Sequence, residues 1–212
     1  MKLATDWDAY YRSTPGYTQF TRRITARRLQ RVLAATAPHQ SQPVSICELG
    51  GANSSFIDDI ATALNVRRYH VVDLNAYGLG LLERRQFSCP VTTERADARA
   101  ANGLQQFDLV FSVGLIEHFD PAGTADVLRG HFERCRPGGT VLVTFPTPTP
   151  PYRAIRYAAE LTGQWKFPDE RPLLFQEVEG FCRSRGEIIH RSSNWLIGLT
   201  QGYVATRKAL AR

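Results

Sequence analysis

The sequence predicts a doubly wound α/β fold: a mostly parallel sheet with helices on both faces and an antiparallel strand at its C-terminal edge. Three observations carry this. Short apolar runs alternate with helix-period stretches through the middle of the chain. The first run, Val44 to Glu48, opens into the small-residue turn Gly50-Gly51-Ala52, which lets the backbone approach a ligand closely. A second run, Tyr69 to Asp73, also ends on a carboxylate, so two acids fall at the strand ends where ligands bind in such sheets.

The elements follow in order. A helical pattern from about Tyr17 to Ala35 sets Ala26, Leu29 and Leu33 on one face and Arg23, Arg27, Arg28 and Arg31 on the other. The proline-containing linker 38–43 leads into strand one. Phe56, Ile57, Ile60, Ala63 and Leu64 keep helical spacing through the first crossover. After the strand at 69–73, Leu79, Leu81 and Leu82 suggest a second helix, followed by a short strand near Val91-Thr92. Phe107 to Ser112 is a strand and Ala122 to Cys135 a helix carrying Val127, Leu128 and Phe132. The turn Pro137-Gly138-Gly139 then leads into the strand Thr140 to Phe145. Five strands separated by helices imply parallel pairing, because each return crossover needs a helix.

The proline-rich stretch Pro146 to Pro151 ends the alternation. Helices at 152–161 and 175–183 flank an aromatic and charged loop, 165–171. Strands at 187–190 and 202–206 close the chain as an edge hairpin. The chain reads as one domain: an N-terminal helical cap (1–42), a core (43–145), an insertion (146–185) and a C-terminal hairpin (186–212).

Composition narrows the class. A chain of 212 residues, 43% hydrophobic, suffices for one well-packed core. No run approaches the roughly 18 apolar residues of a membrane span, and Met1 to Asp8 lacks a signal peptide's apolar core. The four cysteines are scattered and form no CxxC pair, so a reduced, cytoplasmic protein without a disulfide framework or zinc site is expected. The formal charge of +6 is dominated by arginine. The basic helix face suits an anionic membrane surface or lipid-linked acceptor, with an ordinary solvated face as the alternative.

The glycine pattern separates cofactor classes. A nicotinamide site calls for GxGxxG, but Ala52 and Ser55 stand where the later glycines belong. The ordered set instead resembles the class I S-adenosylmethionine-dependent methyltransferases of the small-molecule branch. Its parts are Glu48-Leu49-Gly50-Gly51-Ala52-Asn53-Ser54, Asp73, Ala96-Asp97-Ala98, the stretch Phe107 to Phe119, and Pro137-Gly138-Gly139. The likeness spans roughly residues 44 to 145 and implies a Rossmann-like sheet. It further implies S-adenosylmethionine as cofactor, S-adenosylhomocysteine as product, and cofactor contacts at Glu48, Gly50, Gly51, Ala52, Asp73, Leu74, Asp97, Ala98, Ser112 and Gly114. Glu48 would face the cofactor's ammonium and Asp73 its ribose hydroxyls. Some relatives that methylate quinone precursors carry an acid three residues before the Glu-His pair and hold a divalent ion there. Gly114 occupies that place here, which leaves too few hard oxygen ligands, and no metal is expected.

A hydroxyl acceptor must lose a proton, and His118, just past the fourth strand, is the candidate base. His190 is a second, weaker candidate. The acceptor pocket is expected from parts outside the sheet, with Tyr11, Tyr152, Arg153, Tyr157 and Trp165 as its residues. Rings stack on sugar faces or planar acceptors, and arginines recognise phosphate or carboxylate. O-methylation of a sugar, glycolipid-linked or natural-product hydroxyl is the leading reading, with a small-molecule partner and no nucleic acid. A non-catalytic cofactor-binding scaffold and an RNA methyltransferase are the alternatives. The second lacks the Pro-Pro-aromatic element that grips a flipped base amine in many such enzymes.

Overall fold

A computed structural model describes residues 4–12, 17–38, 42–100, 105–196 and 199–210. Seven strands form one sheet: β1 (Val44–Leu49), β2 (Val66–Asp73), β3 (Val91–Arg95), β4 (Phe107–Val113), β5 (Cys135–Pro146), β6 (Gly186–Leu196) and β7 (Leu199–Lys208). Their order is β3-β2-β1-β4-β5-β7-β6. The first five pair in parallel, while β7 runs antiparallel to both β5 and β6.

Side-chain alternation gives the sheet two cores. Cys47, Leu49, Val110, Val141 and Val143 face one side and pack with Val127, Leu128 and Phe132 of α5 (Pro121–Arg134) and Val178 of α7 (Phe175–Arg183). On the other side Ile46, Leu109, Phe111 and Leu142 meet Leu29 and Leu33 of α2 (Tyr17–Thr36). Ile57 and Ile60 of α3 (Ile57–Ala63) and Leu79 and Leu82 of α4 (Ala76–Glu83) complete that layer. Every residue of β1 is buried, as a strand covered on both faces requires. Each fully buried aliphatic side chain of this kind contributes about 1.5–3 kcal/mol.

Two features differ from the sequence reading. Pro137-Gly138-Gly139 lies within β5, where Gly138 at φ +71° accommodates the register shift against β4. The short helix α1 (Trp7–Arg12) is the second, because six residues carry too little periodicity to predict it. The expected edge hairpin forms, with β7 inside and β6 at the edge. Residues 39–41 of the expected linker lie outside the described residues. All four cysteines are free. No described helix is long and apolar enough to cross a membrane.

Candidate active site

The carboxyl ends of β1, β2 and β4 open into a cavity of about 650 Å³. Its floor begins with Glu48, which is 2% exposed and accepts a hydrogen bond of 2.6 Å from the Tyr69 hydroxyl. Burial pushes its carboxyl up to about 7, against the Tyr69 and Ser54 bonds that favour ionisation. Gly50 turns the chain at φ +73°, and its N–H donates to the Val72 carbonyl at 2.8 Å. A methyl group on Gly51 would fall 2.7 Å from the Glu48 side chain, so glycine there lets the acid sit beneath the turn.

Asp73 ties the turn to the second strand. Its Oδ2 accepts from the Ala52 N–H at 2.9 Å and its Oδ1 from the Asn75 N–H at 2.8 Å. The cap of α4 is Asn75, which accepts from the Gly78 N–H, so Asp73 is not spent as the helix cap. Leu74, Asp97 and Ala98 continue the cavity wall, and Asp97 is ion-paired with Arg99 at 2.6 Å.

Ser112 departs from this set. It is fully buried and bonded at 2.9 Å to Nε2 of His131, whose Nδ1 lies 2.8 Å from the Val127 carbonyl. That carbonyl makes Nδ1 the protonated nitrogen, so Nε2 accepts from the serine hydroxyl. Ser112 is a core residue and does not reach the cavity. Gly114 does, at φ +66°.

The opposite end is built from three parts of the chain. A short 3₁₀ turn, Ile116–His118, follows β4 and presents Glu117 and His118. The loop after α6 (Pro150–Leu161) adds Trp165, Phe167, Asp169 and Glu170, while the N-terminal segment adds Thr5, Trp7, Tyr10 and Tyr11. His118 Nδ1 lies 3.0 Å from Asp169 Oδ1. Asp169 also accepts from the Thr5 N–H at 3.2 Å and from its hydroxyl. Burial would raise the Asp169 carboxyl, but the Thr5 and His118 bonds outweigh it and hold it below the usual range. Burial lowers His118, the partnership with Asp169 opposing. The ring is therefore neutral at pH 7, with its Nδ1 proton committed to Asp169 and Nε2 left to accept another.

Two acids stand beside it. Glu117 is 2% exposed, and its Oε2 has no hydrogen-bond partner among the described residues. Glu170 accepts from the Tyr152 hydroxyl and lies 3.7 Å from the Arg156 guanidinium. Burial raises both carboxyls, and each is raised further by neighbouring acids. Glu117, His118 and Glu170 each offer a donor atom within 4.8 Å of the others. Gly114 contributes no carboxylate to this corner, and Glu170 arrives there from the insertion.

Of the expected acceptor residues, Tyr11, Tyr152 and Trp165 line the cavity. Arg153 and Tyr157 do not: both sit on the exposed face of α6, whose single buried residue is Tyr152. His190 lies on β6, bonded to Ser192 and away from the cavity. Glu117, Asp169 and Glu170 were missed as functional candidates. The first stood in view within Glu117-His118, but the other two reach it only through the fold.

Sheet order, glycine turn and paired strand-end acids together give the Rossmann-like fold of the class I S-adenosylmethionine-dependent methyltransferases. Residues 47–141 match the family described as methyltransferase domain. No curated protein matches the chain. Among solved structures, the 1,6-didemethyltoxoflavin-N1-methyltransferase of Burkholderia thailandensis, with 1,6-didemethyltoxoflavin and S-adenosylhomocysteine bound, is similar at TM-score 0.70 and 16% identity. That match covers 96% of this chain and 86% of that one. Magnesium protoporphyrin IX methyltransferase from Synechocystis PCC 6803, with bound S-adenosylhomocysteine, gives 0.69 at 10% identity over 96% and 94%. The N-methyltransferase NodS from Bradyrhizobium japonicum WM9, also with S-adenosylhomocysteine, gives 0.64 at 13% over 88% and 86%.

Proposed function

We propose that this chain transfers the methyl group of S-adenosylmethionine to a hydroxyl of a small-molecule acceptor, such as a sugar, a glycolipid-linked group or a natural product. The observation that carries the reading is the His118–Asp169 pair, which shares one cavity with the Gly50-Gly51 turn and Asp73.

The residues present fit the cofactor. Glu48 is a buried carboxyl on which burial outweighs the attraction of Arg85, and a cofactor ammonium would offset that burial. Asp73 sits with both oxygens at the cavity edge, where ribose hydroxyls could donate to them. Gly50, Gly51 and Ala52 bring bare backbone to the same place, with Leu74, Asp97, Ala98 and Gly114 along the wall. When bound, the cofactor supplies a methyl group on a positively charged sulfur, which leaves by in-line displacement.

The chain's own residues align and deprotonate the acceptor. Asp169 fixes the His118 ring so that Nε2 can take the acceptor's proton. Trp7, Tyr11, Trp165 and Phe167 exclude water and wall the acceptor end. The exposed arginines of α2 would bring the site beside an anionic surface carrying a lipid-linked acceptor.

Calorimetric titration with S-adenosylhomocysteine tests the first half. Micromolar binding is expected, lost in Asp73→Ala. Release of S-adenosylhomocysteine from S-adenosylmethionine over a panel of hydroxyl acceptors tests the second. His118→Ala should keep cofactor affinity and lose about 10²–10⁴-fold in turnover. Full turnover by that variant removes the base assignment, and tight binding without turnover of any acceptor favours a scaffold.

A further inference from the structure

We propose that the acceptor carries a protonated amine, seated between Glu117 and Glu170 beside the hydroxyl that meets His118. This rests on the methyltransferase reading and names the substrate class as amino alcohols, amino sugars included.

Glu117 supplies the main argument. Its carboxyl is buried at the cavity wall, and Oε2 finds no donor among the described residues. A buried acceptor atom left unpaired costs about 1–3 kcal/mol, so the position makes sense when a ligand brings the donor. Glu170 faces the same point from the insertion, held by the Tyr152 hydroxyl with Arg156 behind it. Two buried carboxyls side by side repel one another unless a proton or a cation lies between them. An ammonium can take the proton's place.

The lining favours an ammonium over a metal ion. Donor atoms of Glu117, His118 and Glu170 lie within 4.8 Å of one another, so one cation can meet both acids beside the histidine. The remaining wall is aromatic rather than oxygen-rich. The Trp7 ring centre lies 5.0 Å from that of His118, and the Phe167 ring lies 5.8 Å from it, with Trp165 beyond. Ring faces attract a cation but offer no ligand to a hard metal. On neighbouring carbons an amine and a hydroxyl lie about 3 Å apart, within hydrogen-bond scale of one another, so a single acceptor can reach the acids and the histidine together.

Matched pairs test this by calorimetry, with and without S-adenosylhomocysteine. The probes are glucosamine against glucose, and 2-amino-1-phenylethanol against 1-phenyl-1,2-ethanediol. At least one amine should bind tenfold or more tightly than its neutral partner. Glu117→Gln should abolish the difference, with S-adenosylhomocysteine affinity unchanged, and Glu170→Gln should reduce it. Binding within twofold for both pairs overturns the proposal. So does micromolar Mn²⁺ binding that both variants abolish, which would make the corner a metal site. Failure to bind S-adenosylhomocysteine strikes the methyltransferase reading instead.

Discussion

The surroundings of His118 suit the base proposed there. Its surroundings hold the ring neutral, because burial outweighs the attraction of Asp169. A base pushed down from its ordinary value of 6.5 works once the pH exceeds the lowered value. The rising limb of kcat/KM against pH should therefore have its midpoint below 6.5 and be flat above 7. Asp169→Asn removes the charge that raises the ring, so the midpoint should fall further while kcat drops tenfold or more. A midpoint above 7 in the wild type would contradict this assignment. The places of His118 and Asp73 on the cavity wall were legible from sequence because they follow from strand ends. Ser112 stands near a strand end too, but on the face where buried His131 claims its hydroxyl.

Among the elements, α2 divides as its periodicity indicates, with one exception. Ala26, Leu29 and Leu33 are buried, and Arg23, Arg27 and Arg31 are exposed. Arg28 instead turns inward, its guanidinium 5.9 Å from the Tyr203 ring centre. The basic face thus has three arginines in a row rather than four. If it meets an anionic surface, co-sedimentation with phosphatidylglycerol vesicles should exceed that with phosphatidylcholine. Replacing Arg23, Arg27 and Arg31 by glutamine should equalise the two, and Arg28→Gln should not. Equal wild-type partitioning would show a solvated face. The strands of the core were readable from apolar runs, but α1 and the place of the loop 162–174 against the N-terminal segment were not. Their positions come from contacts such as Thr5 with Asp169, more than 160 residues apart, which no local pattern records.

At the scale of the whole molecule, stability and ligand binding are linked through buried acids. Glu48 titrates near 7 in the folded protein against 4.5 when unfolded. Between those values the folded state holds a proton that the unfolded state has lost. Stability from this group is therefore full below pH 4.5 and falls as pH rises towards 7, by about 3 kcal/mol in total. Without ligand, the wild type should lose more thermal stability between pH 5 and 7.5 than Glu48→Gln does. S-adenosylhomocysteine should narrow that gap by placing its ammonium against the ionised acid. Equal pH slopes for the two proteins would show that Glu48 does not carry the effect.

The position of β7 has a consequence for how the chain is made. This strand, Leu199–Lys208, lies between β5 and β6, yet it follows both of them in the chain. Until it arrives, the long edge of β5 stays open, with buried apolar residues and unpaired backbone groups available to any neighbouring nascent chain. The sheet therefore cannot close until β7 has been made. Deleting β7 would leave the cofactor turn intact in sequence but yield a protein prone to aggregate through the uncovered strand.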